Sequence, residues 1–140
     1  MSCFYCDPEN EGRLNLMTII GEMEYSRVYL MKDQAHKGRC VVALKEHVSE
    51  LSDLSDKACA GYMQEVAAVA GAVKKLWGCK KINLAAFGDK LPHLHFHVVP
   101  KYEDGFEFGG NFEITNPNPV FLSDEEYQEM INAIKKELNI

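Results

Sequence analysis

The sequence predicts an α+β domain: an antiparallel sheet of about five strands carrying a long central helix and a C-terminal helix. Three observations predict it. Two short runs rich in β-branched residues, Ser26 to Lys32 and Gly38 to Lys45, lie too close together for a parallel crossover. A stripe of apolar residues at helical spacing follows from Ser55 to Trp77. Two more strand-like runs and a second helical stripe then complete the order strands, helix, strands, helix.

Residues 1–12 are polar and turn-like, an N-terminal arm. Arg13 to Glu24 is apolar and fits either helix or strand. Ser26 to Lys32 and Gly38 to Lys45 form a hairpin around the turn Asp33 to Lys37. Ser55 is a good N-cap, Tyr62, Val66, Val69, Val73 and Trp77 mark the buried face, and Gly78 fits the helix stop. Lys81 to Phe87 and Leu94 to Pro100 read as strands around Gly88-Asp89-Lys90. Ser123-Asp124-Glu125-Glu126 is a capping box. It opens a last helix with Tyr127, Met130, Ile131, Ile134 and Leu138 on one side. Residues 1–140 therefore read as one domain.

Composition narrows the function. The net charge of −6 and the lack of any basic cluster longer than Lys74-Lys75 or Lys80-Lys81 argue against nucleic acid as a partner. No apolar run reaches the length of a membrane span, and Met1 to Cys6 lacks the pattern of a secretory signal. Five cysteines then suit reduced thiols or metal ligands in a cytoplasmic protein better than a disulfide framework.

The most informative stretch is Pro92-His93-Leu94-His95-Phe96-His97-Val98-Val99-Pro100, which holds three of the five histidines. Alternate residues of a strand share a face, so His93, His95 and His97 line one side while Leu94, Phe96 and Val98 enter the core. Three imidazoles in register suit nucleophilic or acid–base chemistry, or a metal. They span about 13 Å from first to third at roughly 3.3 Å per residue, so one ion takes one of them or two neighbours, not all three.

With these residues the chain resembles the histidine-triad (HIT) family, whose signature H-x-H-x-H plus two apolar residues stands here as His93-Leu94-His95-Phe96-His97-Val98-Val99. Asn83-Leu84-Ala85-Ala86-Phe87-Gly88, Pro100-Lys101-Tyr102-Glu103-Asp104, Gly38-Arg39-Cys40-Val41-Val42 and Lys45-Glu46-His47-Val48 also look like family segments. The resemblance runs roughly from Ser26 to Gly110. It implies a HIT-like fold, a two-fold dimer and an enzyme that hydrolyses or transfers a nucleotide. The substrate would be a dinucleoside polyphosphate, a nucleoside phosphoramidate or an adenylylated adduct of a purine nucleotide.

By the same resemblance His95 is the nucleophile that attacks the α-phosphorus and forms a nucleotidyl-histidine. His97 and His93 complete the catalytic set, with no metal in the chemical step. A neutral imidazole is nucleophilic, and a neighbouring ring donates where charge grows on phosphoryl oxygens. The nucleotide side would comprise Asp33, Asn83, Asp89, Lys90 and His97. Asp33 is the acidic residue of the hairpin turn, where bonding to its own backbone would equally justify it. Many relatives carry glutamine and then serine or threonine after the glycine matching Gly88. Asp89 and Lys90 depart from that, one repelling a phosphate and the other attracting it.

Resemblance also implies a structural zinc on Cys3, Cys6, His47 and His93, a Cys2His2 set suited to tetrahedral zinc. His36 is expected at the solvated surface. Leu30, Val42 and Leu44 are expected in the core, where they could also floor an adenine pocket. Phe106, Phe108, Phe112 and Phe121, in the long segment from Lys101 to Leu122, are expected to pack on the sheet or a dimer partner. The competing reading is a nucleotide-binding or zinc-stabilised interaction module without turnover.

Overall fold

The computed structural model describes residues 3–140. A short helix α1 (Glu11–Leu16) runs directly into strand β1 (Met17–Glu22), which resolves the ambiguous segment into one of each. Strands β2 (Ser26–Met31) and β3 (Cys40–Leu44) form the expected hairpin. The long helix α2 (Asp56–Trp77) follows, then β4 (Lys81–Ala85), β5 (His95–Lys101) and the final helix α3 (Asp124–Leu138). All pairings are antiparallel, and the five strands lie in the order β1-β2-β3-β5-β4.

The helix ends are built as their residues dictate. The Ser55 hydroxyl accepts from the Ala58 N–H, and Gly78 closes α2 in the left-handed conformation at φ 66°. Ser123 and Glu126 form the reciprocal capping box of α3. Gly38, also at positive φ, lets the hairpin turn lie on the end of α2. A Cβ there would approach Trp77 and Val73 to 2.8 Å.

One face of the sheet packs on α2 and α3. Val28, Leu30, Val42, Leu44, Leu94 and Val98 meet Tyr62, Val66, Val69 and Val73 from α2 and Met130, Ile131 and Ile134 from α3. This apolar layer is the main driving force for folding. Ile20, unpaired at a bulge between Ile19 and Gly21, turns into it. The opposite face carries a smaller cluster of Met17, Tyr29, Met31, Val41 and Ala43, covered by Tyr5 of the N-terminal arm. The arm is held by Arg13, whose guanidinium donates to the carbonyls of Phe4, Asp7 and Pro8.

Register decides which face each residue joins. His95 pairs with Ala43 and His97 with Val41, so the histidines share the face away from the helices. Leu30, Val42 and Leu44 lie on the helix side, fully in the core. They cannot floor a pocket beside the histidines, because side chains alternate across a strand. No helix among the described residues is long and apolar enough to cross a membrane.

Candidate functional site

His95 opens β5, and the chain enters it through Pro92 and His93. The backbone fixes the state of two rings here. His95 Nδ1 lies 2.7 Å from the His93 carbonyl oxygen. A carbonyl only accepts, so Nδ1 carries the proton and the neutral ring keeps its lone pair on Nε2. His93 is the mirror case: its Nε2 donates to the Leu44 carbonyl at 2.6 Å, which leaves the lone pair on Nδ1. Burial lowers the pKa of both rings, against the opposing pull of these carbonyl bonds.

His97 follows one pleat along, with its ring centroid 5.3 Å from that of His95. Its Nδ1 is buried without a hydrogen-bond partner. Burial first, then the positive charge of Arg39 and the ring of His95, push its pKa down to about 3. Tyr5 lies 4.8 Å from the His95 ring, and Phe87 and Phe112 lie 6.3 Å and 6.0 Å from the His97 ring, centroid to centroid. Two neutral imidazoles thus lie side by side among aromatic rings.

The ring of His93 belongs to a second group. Its Nδ1 lies 3.2 Å from His47 Nδ1, 3.4 Å from Cys3 Sγ and 3.5 Å from Cys6 Sγ, and Cys6 Sγ lies 3.4 Å from His47 Nδ1. All four ligand atoms fall within 4.8 Å of one another. A tetrahedral ion with bonds of about 2.0–2.1 Å to nitrogen and about 2.3 Å to sulfur sets edges of about 3.3–3.7 Å. Four of the six edges, at 3.2–3.5 Å, come close to that figure and the other two fall within 4.8 Å, so the four side chains could hold one metal ion. The free lone pair on His93 Nδ1 is the form a metal ligand needs.

The remaining expected residues spread around this centre. Asn83 pairs with Val99 on β4, and Ala85 with His97, so Asn83 lies on the histidine face. Asp89 and Lys90 are exposed in the β4–β5 connection, after Gly88 at φ 115°. Lys90 helps line a cavity of about 540 Å³ with Phe4, His47, Pro92 and His93. Asp33 Oδ1 accepts from the N–H groups of Ala35 and Val120, so the carboxylate shapes its own turn and pins a distant segment.

Three features lie outside the sequence reading. His36 is not solvated: it is 3% exposed, bonds Glu107 at 2.7 Å and faces Phe106 at 5.1 Å. The segment after β5 folds back over the hairpin turn and covers it. Phe112 belongs to the site wall. Arg39, 2% exposed, sets its guanidinium carbon 5.0 Å from the Phe112 centroid.

The HIT domain family model matches residues 15–104. An uncharacterized HIT-like protein of Mycoplasma genitalium is 29% identical over 132 residues, 91% of this chain and 90% of its own. The adenosine 5′-monophosphoramidase of Schizosaccharomyces pombe is 27% identical over 114 residues, 78% of this chain and 81% of its own. Among solved structures, a histidine triad protein from Marinobacter aquaeolei aligns with TM-score 0.83 at 22% identity, covering 92% of this chain and 93% of that one. One from Bradyrhizobium japonicum aligns with TM-score 0.82 at 23% identity, covering 91% and 94%. At these identities the structural likeness is one of fold.

Proposed function

The chain belongs to the HIT domain family, and from that premise we propose that it is a nucleotide hydrolase or nucleotidyl transferase acting on the α-phosphate of a purine nucleotide. The observation that carries this reading is the His95–His93 hydrogen bond, which leaves Nε2 of a neutral imidazole free to attack. The likeness to an adenosine 5′-monophosphoramidase supports a nucleoside phosphoramidate as one substrate.

In the proposed reaction the His95 Nε2 lone pair forms a bond to the α-phosphorus. The bond to the leaving group breaks, and that group departs with its electron pair and takes up a proton from solvent, which the attacking water of the second step returns. Water or another acceptor then attacks the nucleotidyl-histidine, and His95 leaves with its lone pair restored. His97, its ring centroid 5.3 Å from that of His95, would donate a ring N–H to the charge growing on the phosphoryl oxygens. His93 contributes through its backbone, by orienting His95. Asn83 and Lys90 supply polar groups at the nucleotide's margins, and Asp89 lies in the same connection. Asp33 has its Oδ1 occupied by two backbone N–H groups, which leaves Oδ2 for a ribose hydroxyl.

Cys3, Cys6, His47 and His93 would hold a zinc ion as a structural tie. The ion would join the arm to the β4–β5 connection and stay outside the chemical step. The further expectations of a two-fold dimer and a cytoplasmic location belong to this proposal. Leu84, Phe87, Ile114 and Phe121 are among the exposed apolar residues that a second copy could cover. Incubation with an adenosine phosphoramidate, read by release of the amine, tests the activity. Turnover by the wild type and its absence in His95→Ala is the expected result.

A further inference from the structure

Three basic side chains are almost wholly buried: Arg13, Arg39 and Lys101. Arg13 donates to three carbonyls, and Lys101 Nζ donates to those of Glu107 and Gly110 at 2.8 Å and 2.7 Å. Arg39 differs. Its Nε and Nη2 are buried and have no hydrogen-bond partner, and no carboxylate among the described residues forms an ion pair with it. The nearest acids, Asp33 and Glu107, act on its charge through space but bond other groups, Asp33 Oδ1 two backbone N–H groups and Glu107 His36 and the Glu113 N–H, and neither meets its Nε or Nη2. A buried charge left unpaired costs stability, and a site keeps one where a ligand completes it.

The two orphaned donors are informative as a pair. Nε–H and Nη2–H lie on one edge of the planar guanidinium, the edge that grips two oxygens of a phosphate or carboxylate at once. The unpartnered His97 Nδ1 is the other buried orphan of this face, and the Phe112 ring neighbours both, 5.0 Å from the guanidinium carbon and 6.0 Å from the His97 ring. Cys40 pairs with Val98, which sets Arg39 beside Val99, one pleat past His97. That is about 13 Å along the strand from His95, at roughly 3.3 Å per residue.

We propose that Arg39, with Phe112 against its guanidinium, forms a second oxyanion site beside His97 that receives a phosphate group adjacent to the one attacked by His95. This rests on the catalytic reading for the position of the attacked phosphate. The site itself stands on the orphaned donors alone.

The test is calorimetric titration of the full chain with inorganic pyrophosphate and, separately, orthophosphate, in wild type, Arg39→Lys, Arg39→Gln and His95→Ala. Loss of the charged fork should weaken pyrophosphate binding about tenfold or more. Arg39→Lys, a point charge without the fork, should fall between. The wild type should prefer pyrophosphate to orthophosphate, and His95→Ala should still bind it, which separates this site from the catalytic claim. Without anion, Arg39→Gln should melt at or above the wild-type temperature, because an unpaired buried charge is gone. Its KM should rise more for diadenosine tetraphosphate than for adenosine phosphoramidate. Equal pyrophosphate affinity in wild type and both Arg39 variants would overturn the proposal, as would no binding to wild type. Equal losses on both substrates would overturn the assignment to a second phosphate.

Discussion

The Nδ1–H of His95 donates to the backbone carbonyl of His93, two residues earlier, at 2.7 Å. One residue pair thereby links two centres. The carbonyl of His93 orients the proposed nucleophile, while its ring, held through Nε2 by Leu44, offers Nδ1 to Cys3, Cys6 and His47. The alternating spacing that looks like one triad resolves into a pair of neighbouring rings, His95 and His97, and one residue of a separate cluster.

His95→Ala should fold, because its ring makes one side-chain hydrogen bond and lies outside the main apolar layer. Turnover of an adenosine phosphoramidate should fall by about a thousandfold or more, as loss of a covalent nucleophile requires. His95→Gly with added imidazole should recover part of it. Near wild-type turnover by His95→Ala would contradict the mechanism.

The cysteine–histidine cluster predicts one zinc per chain. Elemental analysis after purification without chelator should give close to one equivalent, and Cys6→Ser should lower it. Chelation should reduce the melting temperature by freeing the arm. Metal content below a tenth of an equivalent with unchanged melting would remove the cluster from consideration as a metal site.

Stability should fall with acid because of His97. Its folded pKa, about 3, lies below the ordinary value of 6.5, so the unfolded chain binds its proton first. The contribution is fully present above pH 6.5 and is lost as pH falls through about 3, a few kcal/mol at the most by linkage. Urea unfolding from pH 7 to pH 4 should show this loss, and His97→Asn should flatten the curve. An identical pH dependence in the variant would show that His97 is not the group responsible.

The chemical step should survive a chelator. In a short assay on an adenosine phosphoramidate, activity should persist while structural metal dissociates slowly. Prompt loss, reversed by added zinc or manganese, would instead point to a metal-bound water as the nucleophile.

Much of this was legible in the sequence, and the reasons are local. Periodicity marked the buried stripe Tyr62, Val66, Val69 and Val73, and alternation put His95 and His97 on one face against Leu94 and Val98. Side chains set by register or by loop tertiary structure were not legible. Val42 and Leu44 fall on the helix side because Ala43 pairs with His95, a register that composition does not reveal. His36 looked solvated because it sits in a turn. It is buried because residues 102–113 fold over it, with Glu107 in the left-handed region at φ 61° and tied to His36. The same folded segment brings Phe112 to Arg39. The only sequence signal there was a run of phenylalanines and glycines after β5. Tyr5 reached the His95 ring through an arm whose path depends on Arg13.

The most direct test of the central claim is a search for the covalent intermediate. The full chain is mixed with an adenosine phosphoramidate, quenched at neutral to alkaline pH because phosphohistidine-type bonds are acid-labile, and analysed by intact mass. Peptide mapping then locates any adduct. The account predicts a mass increase of one adenylyl group on His95, absent from His95→Ala and removed on standing as product appears. Turnover with no adduct on His95 under any quench, or an adduct on another residue that His95→Ala leaves intact, would contradict it.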